Sequence, residues 1–383
     1  MFTTICHVVE VPSENPYAFP AAWLKGVAVH HDRRRFRHLV VTLGPRNNIH
    51  MELERRGVDA FALGSLSRLS YPRALVRLVK LLRHEQVDIV QTHLFDPSIL
   101  GLVSGRVARV DAVLVTRHHS DFTTLFDKPL HRWLDRRQAV QADLVIAASE
   151  GVRRSMVELE HVPFEHIIVH HYGFEFEDLR PTLTTHERTG LRKTMGVDGD
   201  GPLLAVVARL SRDKGHRYLL EAIPRVRNEW PGLRVVFVGI GPLSDELVTL
   251  AAELGLSETV SFLGVRGDAH RIIEASDLVV HPSLTEAFCN VIIEAMALER
   301  PLVATDVSGA SEQIDAGITG HLVPPGDPLA LSAAILKILS DPEAAARMAS
   351  EARRRVVQRF SFPRMMRIYE ETYVSVLDNP ERR

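Results

Sequence analysis

Glu286 and Glu294 are the residues whose type and spacing most suggest chemistry in this sequence. An apolar pair, Val279-Val280, runs into His281-Pro282-Ser283, which reads as a buried parallel strand ending in a loop. Glu286 follows, and residues 290–298 read as a helix that is apolar nearly all round and therefore buried. Glu294 is its odd member, because a carboxylate there is costly unless something hydrogen-bonds it. If the helix covers most of the interval, the two carboxylates lie about 12 Å apart at roughly 1.5 Å rise per residue. A nucleoside diphosphate sugar has that span, with ribose at one end, hexose at the other and the diphosphate between. The N–H groups of Ala287, Phe288, Cys289 and Asn290 would then sit at a helix N-terminus, which favours anions. The plainer reading of Glu294 is a buried, paired carboxylate holding two helices together.

A departing diphosphate needs its growing charge neutralised. Ala208-Arg209-Leu210-Ser211-Arg212-Asp213-Lys214-Gly215 follows an apolar run and offers Arg209, a planar fork, and Lys214, a point charge. Without Glu286 and Glu294 downstream, the pair reads equally well as surface cations on a loop. Gly239-Ile240-Gly241-Pro242 is weak by itself: two glycines after a strand are common turn chemistry, and the third glycine of a dinucleotide fingerprint is missing. His118 and His119 stand at the carboxyl end of a strand and His93 ends the one before; that end is where open α/β sheets bind ligands. A histidine there is also an ordinary satisfied structural group. The nineteen histidines show no zinc-ligand spacing and none stands at fingerprint distance from a cysteine, so the expected chemistry is metal-free, with cationic side chains and a helix end as the electrophile.

The segment from Glu286 resembles the active-site segment of the retaining glycosyltransferases of family 4. Its hallmark is Glu, seven residues, Glu, then Ala-Met-Ala, here Glu286, Glu294 and Ala295-Met296-Ala297. The resemblance is close over about residues 203–362 and looser over the first 175. It implies that Glu286 contacts the transferred sugar and Glu294 the ribose hydroxyls. Arg209 and Lys214 would bind the diphosphate. The glycines Gly239 and Gly241 would let the backbone approach the donor, Gly264 and Val265 would meet the nucleobase, and His118 would meet the sugar. It implies two Rossmann-like α/β domains with parallel sheets facing a cleft, the GT-B architecture. The acceptor-binding domain would be residues 1–178 with the C-terminal helix 363–383, and the donor-binding domain residues 179–362. It implies no cofactor beyond a nucleotide diphosphate sugar as co-substrate, and a small-molecule, lipid-linked or glycan acceptor. The chain departs from the family pattern at Ala287 and Cys289, where Gly and Gly or Pro are common, and at Arg300, where Gly precedes the proline. It also lacks the usual Gly-Gly pair in the loop 12–20. An epimerase or a sugar phosphorylase on the same scaffold is the first rival, and a non-catalytic nucleotide-sugar binder the second.

Composition fits this reading. The chain has 383 residues, 45% hydrophobic and 25% charged, enough for two ordinary domains. A net charge of −2 carries no electrostatic footprint for nucleic acid. Two cysteines, Cys6 and Cys289, make no disulfide framework. With no basic leader and no apolar run near 20 residues, a cytoplasmic protein is expected. Strands are expected at 5–9, 36–43, 87–93, 112–119, 142–149 and 167–173, and again at 203–207, 233–238, 260–264, 277–281, 301–305 and 320–323. Helices alternate with them, which means parallel sheets covered on both faces. A linker is expected over 174–201, with one short helix at 189–195. The helix 74–84 carries Arg73, Arg77, Lys80 and Arg83 around an apolar face. That is a solvated face or, on the sharper reading, a weak contact with an anionic lipid surface or acceptor.

Overall fold

The computed structural model describes residues 2–10, 21–65, 67–118, 129–197 and 199–378. The chain divides into two compact units, residues 1–175 with 360–383, and residues 176–359. His119, the loop 12–20 and the pair Asp127-Lys128 lie outside the described residues.

The first unit is built on seven strands: β1 (Thr3–Val9), β2 (Phe36–Thr42), β3 (Asp59–Ala62), β4 (Ile89–His93), β5 (Ala112–Arg117), β6 (Leu144–Ala147) and β7 (Ile167–Val169). They pair in parallel in the order β3-β2-β1-β4-β5-β6-β7. Helices cover both faces, so the central strands are apolar runs rather than alternating ones; β1 is buried from Thr4 to Val9. The last helix, Phe362–Leu377, belongs to this unit and contributes Phe362, Met366, Tyr369 and Tyr373 to its core. Gly26 records the fit, because a Cβ there would lie 2.1 Å from the Phe362 ring.

The second unit has β8 (Leu203–Val207), β9 (Arg234–Val238), β10 (Val260–Phe262), β11 (Leu278–His281), β12 (Leu302–Thr305) and β13 (His321–Val323). Their order is β10-β9-β8-β11-β12-β13, all parallel. The strand order reverses between β8 and β11, and an open α/β sheet binds its ligands at the carboxyl ends flanking such a reversal.

Several expectations are corrected. The strand β3 was not expected; it is an edge strand of four residues with only Ala60 buried, too short and too exposed to pattern. The helix Pro129–Gln141 was missed because it is strongly polar and its large apolar residues Leu130 and Trp133 are exposed. The helix Phe95–Ala108 follows β4 after a single residue, Leu94. Thr185–Thr194 replaces the expected 189–195, because Thr184 and Glu187 form a capping box that starts the helix earlier. Ser149 caps the helix that follows it, accepting from Val152 N at 3.1 Å, whereas Ser361 holds an N-cap position without a side-chain capping bond. On the helix Tyr71–His84, Arg77 and Arg83 donate to the carbonyls of Leu63 and Val107 rather than standing as free cations.

Candidate active site

The β8–β11 reversal brings two loops together. β8 and β11 pair directly, Leu278 opposite Leu204 and Val279 opposite Ala205. The loop after β8 ends in a short 3-10 turn, Arg212–Lys214, followed by Gly215 at φ 61°. A Cβ on Gly215 would lie 2.0 Å from the Pro282 carbonyl oxygen, so only glycine lets this turn rest on the loop after β11. Leu284 N–H donates to Asp213 O at 2.7 Å and locks the two loops together. Lys214 Nζ consequently lies 2.6 Å from Glu286 Oε1.

Oε1 of Glu286 is the hub of a buried polar cluster. It takes Lys214 Nζ, Ser283 Oγ at 2.8 Å and His281 Nε2 at 2.8 Å. Among the described residues, Glu286 Oε2 accepts no hydrogen bond. His281 Nε2 also faces Ser283 Oγ at 2.9 Å and Cys289 Sγ at 3.2 Å. Burial is the largest influence on each titrating member and opposes its charge, but the partners outweigh it. Glu286 is held down to about 2 by His281 and Lys214. His281 is held up to about 10 by Cys289 and Glu286. Lys214 is raised by Glu286 despite its own burial. The site is thus a fixed carboxylate between two cations. His281 and Ser283 escaped the sequence reading, which took them only as the end of a strand; a titratable residue closing a wholly apolar strand beside the reversal was the available signal.

Around this hub the other expected residues fall into three groups. The Arg209 side chain is 60% exposed and 3.6 Å from Asp213, an exposed cation on the same loop. Gly239 and Gly241 serve the protein first: a Cβ on either would lie 2.1 and 2.2 Å from the carbonyl oxygens of Ala208 and Leu210. They bring the loop after β9 against the loop that carries Arg209. Gly264, at φ 66°, accepts Gly239 N–H at 2.8 Å, and Val265 next to it is 73% exposed.

The third group follows Glu286. The helix is Asn290–Ala297, so it spans only part of the interval to Glu294, and helical rise alone does not set the spacing of the carboxylates. Phe288 and Cys289 are buried, Ala287 is half-buried and Asn290 exposed. The expected open N–H at Cys289 is already used: it donates to Gln313 Oε1 at 3.3 Å, while Gln313 Nε2 donates back to Cys289 O at 2.8 Å. Glu294 is not fully buried; its side chain is 20% exposed, with His270 Nε2 at 3.5 Å. That hydrogen bond raises the His270 pKa against burial.

In the first unit the histidines form a chain. His38 Nδ1 meets His7 Nε2 at 2.8 Å, His7 Nδ1 meets His93 Nε2 at 3.4 Å, His93 Nδ1 meets His118 Nε2 at 3.2 Å, and His118 Nδ1 meets Tyr172 Oη at 2.8 Å. His38 Nε2 is buried without a partner, so a lone pair there costs less than an orphaned N–H. That places every proton on Nδ1, each ring donating to the next and His118 donating to Tyr172. Both ring nitrogens of His118 are therefore used inside the unit. Burial, reinforced by neighbouring histidines, drives the pKa values of His7, His38 and His93 well below the ordinary value.

Two family models match the chain, one described as Glycosyltransferase Family 4 over residues 23–178 and one as Glycosyl transferases group 1 over residues 187–355. The alpha-D-kanosaminyltransferase of Streptomyces kanamyceticus is 31% identical over 303 residues, 77% of this chain and 78% of the relative. This chain belongs to glycosyltransferase family 4. A second family relative, the UDP-Gal:alpha-D-GlcNAc-diphosphoundecaprenol alpha-1,3-galactosyltransferase of Escherichia coli, is 25% identical over 82% of both chains. The structure of Anabaena HepE in complex with UDP matches with a TM-score of 0.82 at 24% identity, covering 97% of this chain and all of that one. The fold is GT-B, and the enzyme is a glycosyltransferase. Among the described residues, no helix is long and apolar enough to cross a membrane.

Proposed function

We propose that this family 4 enzyme moves a hexose from a nucleotide diphosphate sugar to an acceptor hydroxyl with retention of configuration and without a metal ion. The observation that carries the reading is the 2.6 Å pairing of Lys214 with Glu286 where strand order reverses between β8 and β11. The loop there supplies two cations, Lys214 and Arg209, to a departing diphosphate, whose charge they neutralise as it grows. Glu286, its Oε1 fixed by three donors, turns its other oxygen to the sugar hydroxyls. A carboxylate so engaged is a poor nucleophile. The acceptor therefore attacks from the face the diphosphate leaves, and the diphosphate takes the acceptor proton. Gly264 and Val265 receive the nucleobase, Glu294 the ribose, and Ala287, Phe288, Cys289 and Asn290 line the donor. His118 keeps, through its backbone, the sugar contact that the family resemblance gives it, its ring nitrogens being taken by His93 and Tyr172. The acceptor class stays as broad as a small molecule, a glycan or a lipid-linked sugar, the last supported by the name of the Escherichia coli relative. Exposed Arg73 and Lys80 are the cations left to meet an anionic lipid surface.

Incubation with a panel of nucleotide sugars, with and without phosphate, tests the reading. Slow donor hydrolysis that quickens with an acceptor hydroxyl and survives a chelator is expected. Epimerised donor, or a sugar phosphate formed only with phosphate, would move the chain to the rival reactions. Glu294→Ala should weaken nucleoside diphosphate binding roughly tenfold to a hundredfold, the worth of one charge-assisted contact of about 1.5–3 kcal/mol. Calorimetric titration of the folded variant measures this, and unchanged affinity would leave Glu294 as the partner of His270 alone.

A further inference from the structure

We infer that His281, Cys289 and Glu286 form a binding site for a thiophilic divalent cation of the zinc class, and that the cation shuts the enzyme off. The inference rests on the proposed reading in one respect only, that Lys214 and Glu286 serve turnover.

The three side chains offer one ligand atom each, an imidazole nitrogen, a thiol sulfur and a carboxylate oxygen, all within 4.8 Å of one another. Donors about 2.0–2.3 Å from one tetrahedral ion lie roughly 3.3–3.6 Å apart. His281 Nε2 stands 3.2 Å from Cys289 Sγ and 2.8 Å from Glu286 Oε1, so an ion needs these two pairs to spread only slightly, and the thiol and the carboxylate lie within 4.8 Å of each other. The set mixes nitrogen, sulfur and oxygen, which suits zinc or cadmium and not magnesium. The backbone holds it rigidly. His281 closes β11, and Cys289 is clamped at both its N–H and its carbonyl by Gln313. Three protein ligands leave a fourth position open.

Lys214 sets the functional consequence. Its ammonium occupies Glu286 Oε1, and a divalent ion bound there repels it. Binding therefore turns Lys214 away and withdraws Glu286, removing both groups from the donor. The ion takes His281 as the neutral imidazole and Cys289 as the thiolate, and the protons it displaces leave to solvent.

Cadmium titration of the enzyme without donor or acceptor tests the site, read by the ultraviolet thiolate-to-metal charge-transfer band. One saturating equivalent per chain is expected. Cys289→Ser should abolish the band, and His281→Gln or Glu286→Gln, which keep the thiol, should weaken binding about tenfold or more. Lys214→Met should bind cadmium more tightly than the parent. Zinc at the same concentrations should inhibit turnover, with chelator restoring it. A band that persists in Cys289→Ser, pointing to Cys6, would overturn the inference. So would a band insensitive to His281 and Glu286, or no band at all. The band is read without turnover: its absence leaves the transferase reading standing, and a normal band on an enzyme with no transferase activity refutes that reading while the metal site stands.

Discussion

Lys214→Ala should lower turnover on the cognate nucleotide sugar by on the order of 10² to 10³, the usual cost of removing one preorganised electrostatic donor. The Lys214 side chain is only 20% exposed and its ammonium lies on Glu286, so no surface cation can replace it from solvent. Folding should suffer less. Glu286 keeps His281 and Ser283 when the ammonium is gone, so the buried carboxylate is not orphaned. Arg209→Ala should act in the same direction with the melting temperature unchanged, since that side chain is 60% exposed and, among the described residues, pairs only with Asp213. Rates of nucleotide release, with thermal melts as the folding control, measure both. A Lys214→Ala enzyme turning over as fast as the parent would show that the diphosphate does not leave against this loop.

The second large effect is on stability. His7, His38 and His93 are fully buried and held neutral, while in the unfolded chain each titrates near 6.5. A base whose folded pKa is lowered contributes stability above its unfolded pKa and loses it as pH falls below that value, because the unfolded state takes the proton first. Three such groups acting together should destabilise the first unit by about 4 kcal/mol between roughly pH 7.5 and 5.5. Scanning calorimetry across that range should show the transition of this unit fall steeply. His38→Leu, which removes the ring with the unpartnered Nε2, should make the dependence shallower by about one proton. A melting temperature indifferent to pH over this range would mean that the chain is already charged in the folded state.

The fold was legible wherever burial made strands uniformly apolar. β5, β8 and β11 stand out as Val- and Leu-rich runs because both faces of a parallel sheet are covered. What escaped was structure whose stability is not written in an apolar period. β3 borrows its hydrogen bonds from β2 at the sheet edge, and Pro129–Gln141 exposes its largest apolar side chains. The site divides in the same way. Glu294 was visible as a carboxylate in an apolar helix, and Glu286, Arg209 and Lys214 through their spacing around it. His281 was not, because its role depends on which strands become neighbours, and the adjacency of β8 and β11 lies in the topology. The glycines at 239 and 241 read as ligand-facing, yet their first requirement is the approach of their own backbone to Ala208 and Leu210. Cys289 was read for its helix end; its sulfur instead lies beside His281.

The stereochemistry of the sugar released from the donor tests the central claim most directly. Proton NMR of the first product formed by slow hydrolysis of an α-linked nucleotide sugar, recorded before mutarotation, reports which face was attacked. Attack from the leaving-group face, with Glu286 too engaged to act as a nucleophile, predicts the α-anomer first, and its rate should collapse in Lys214→Ala. The β-anomer appearing first would mean displacement from the opposite face, and the mechanism built on the Lys214–Glu286 pair would have to be abandoned.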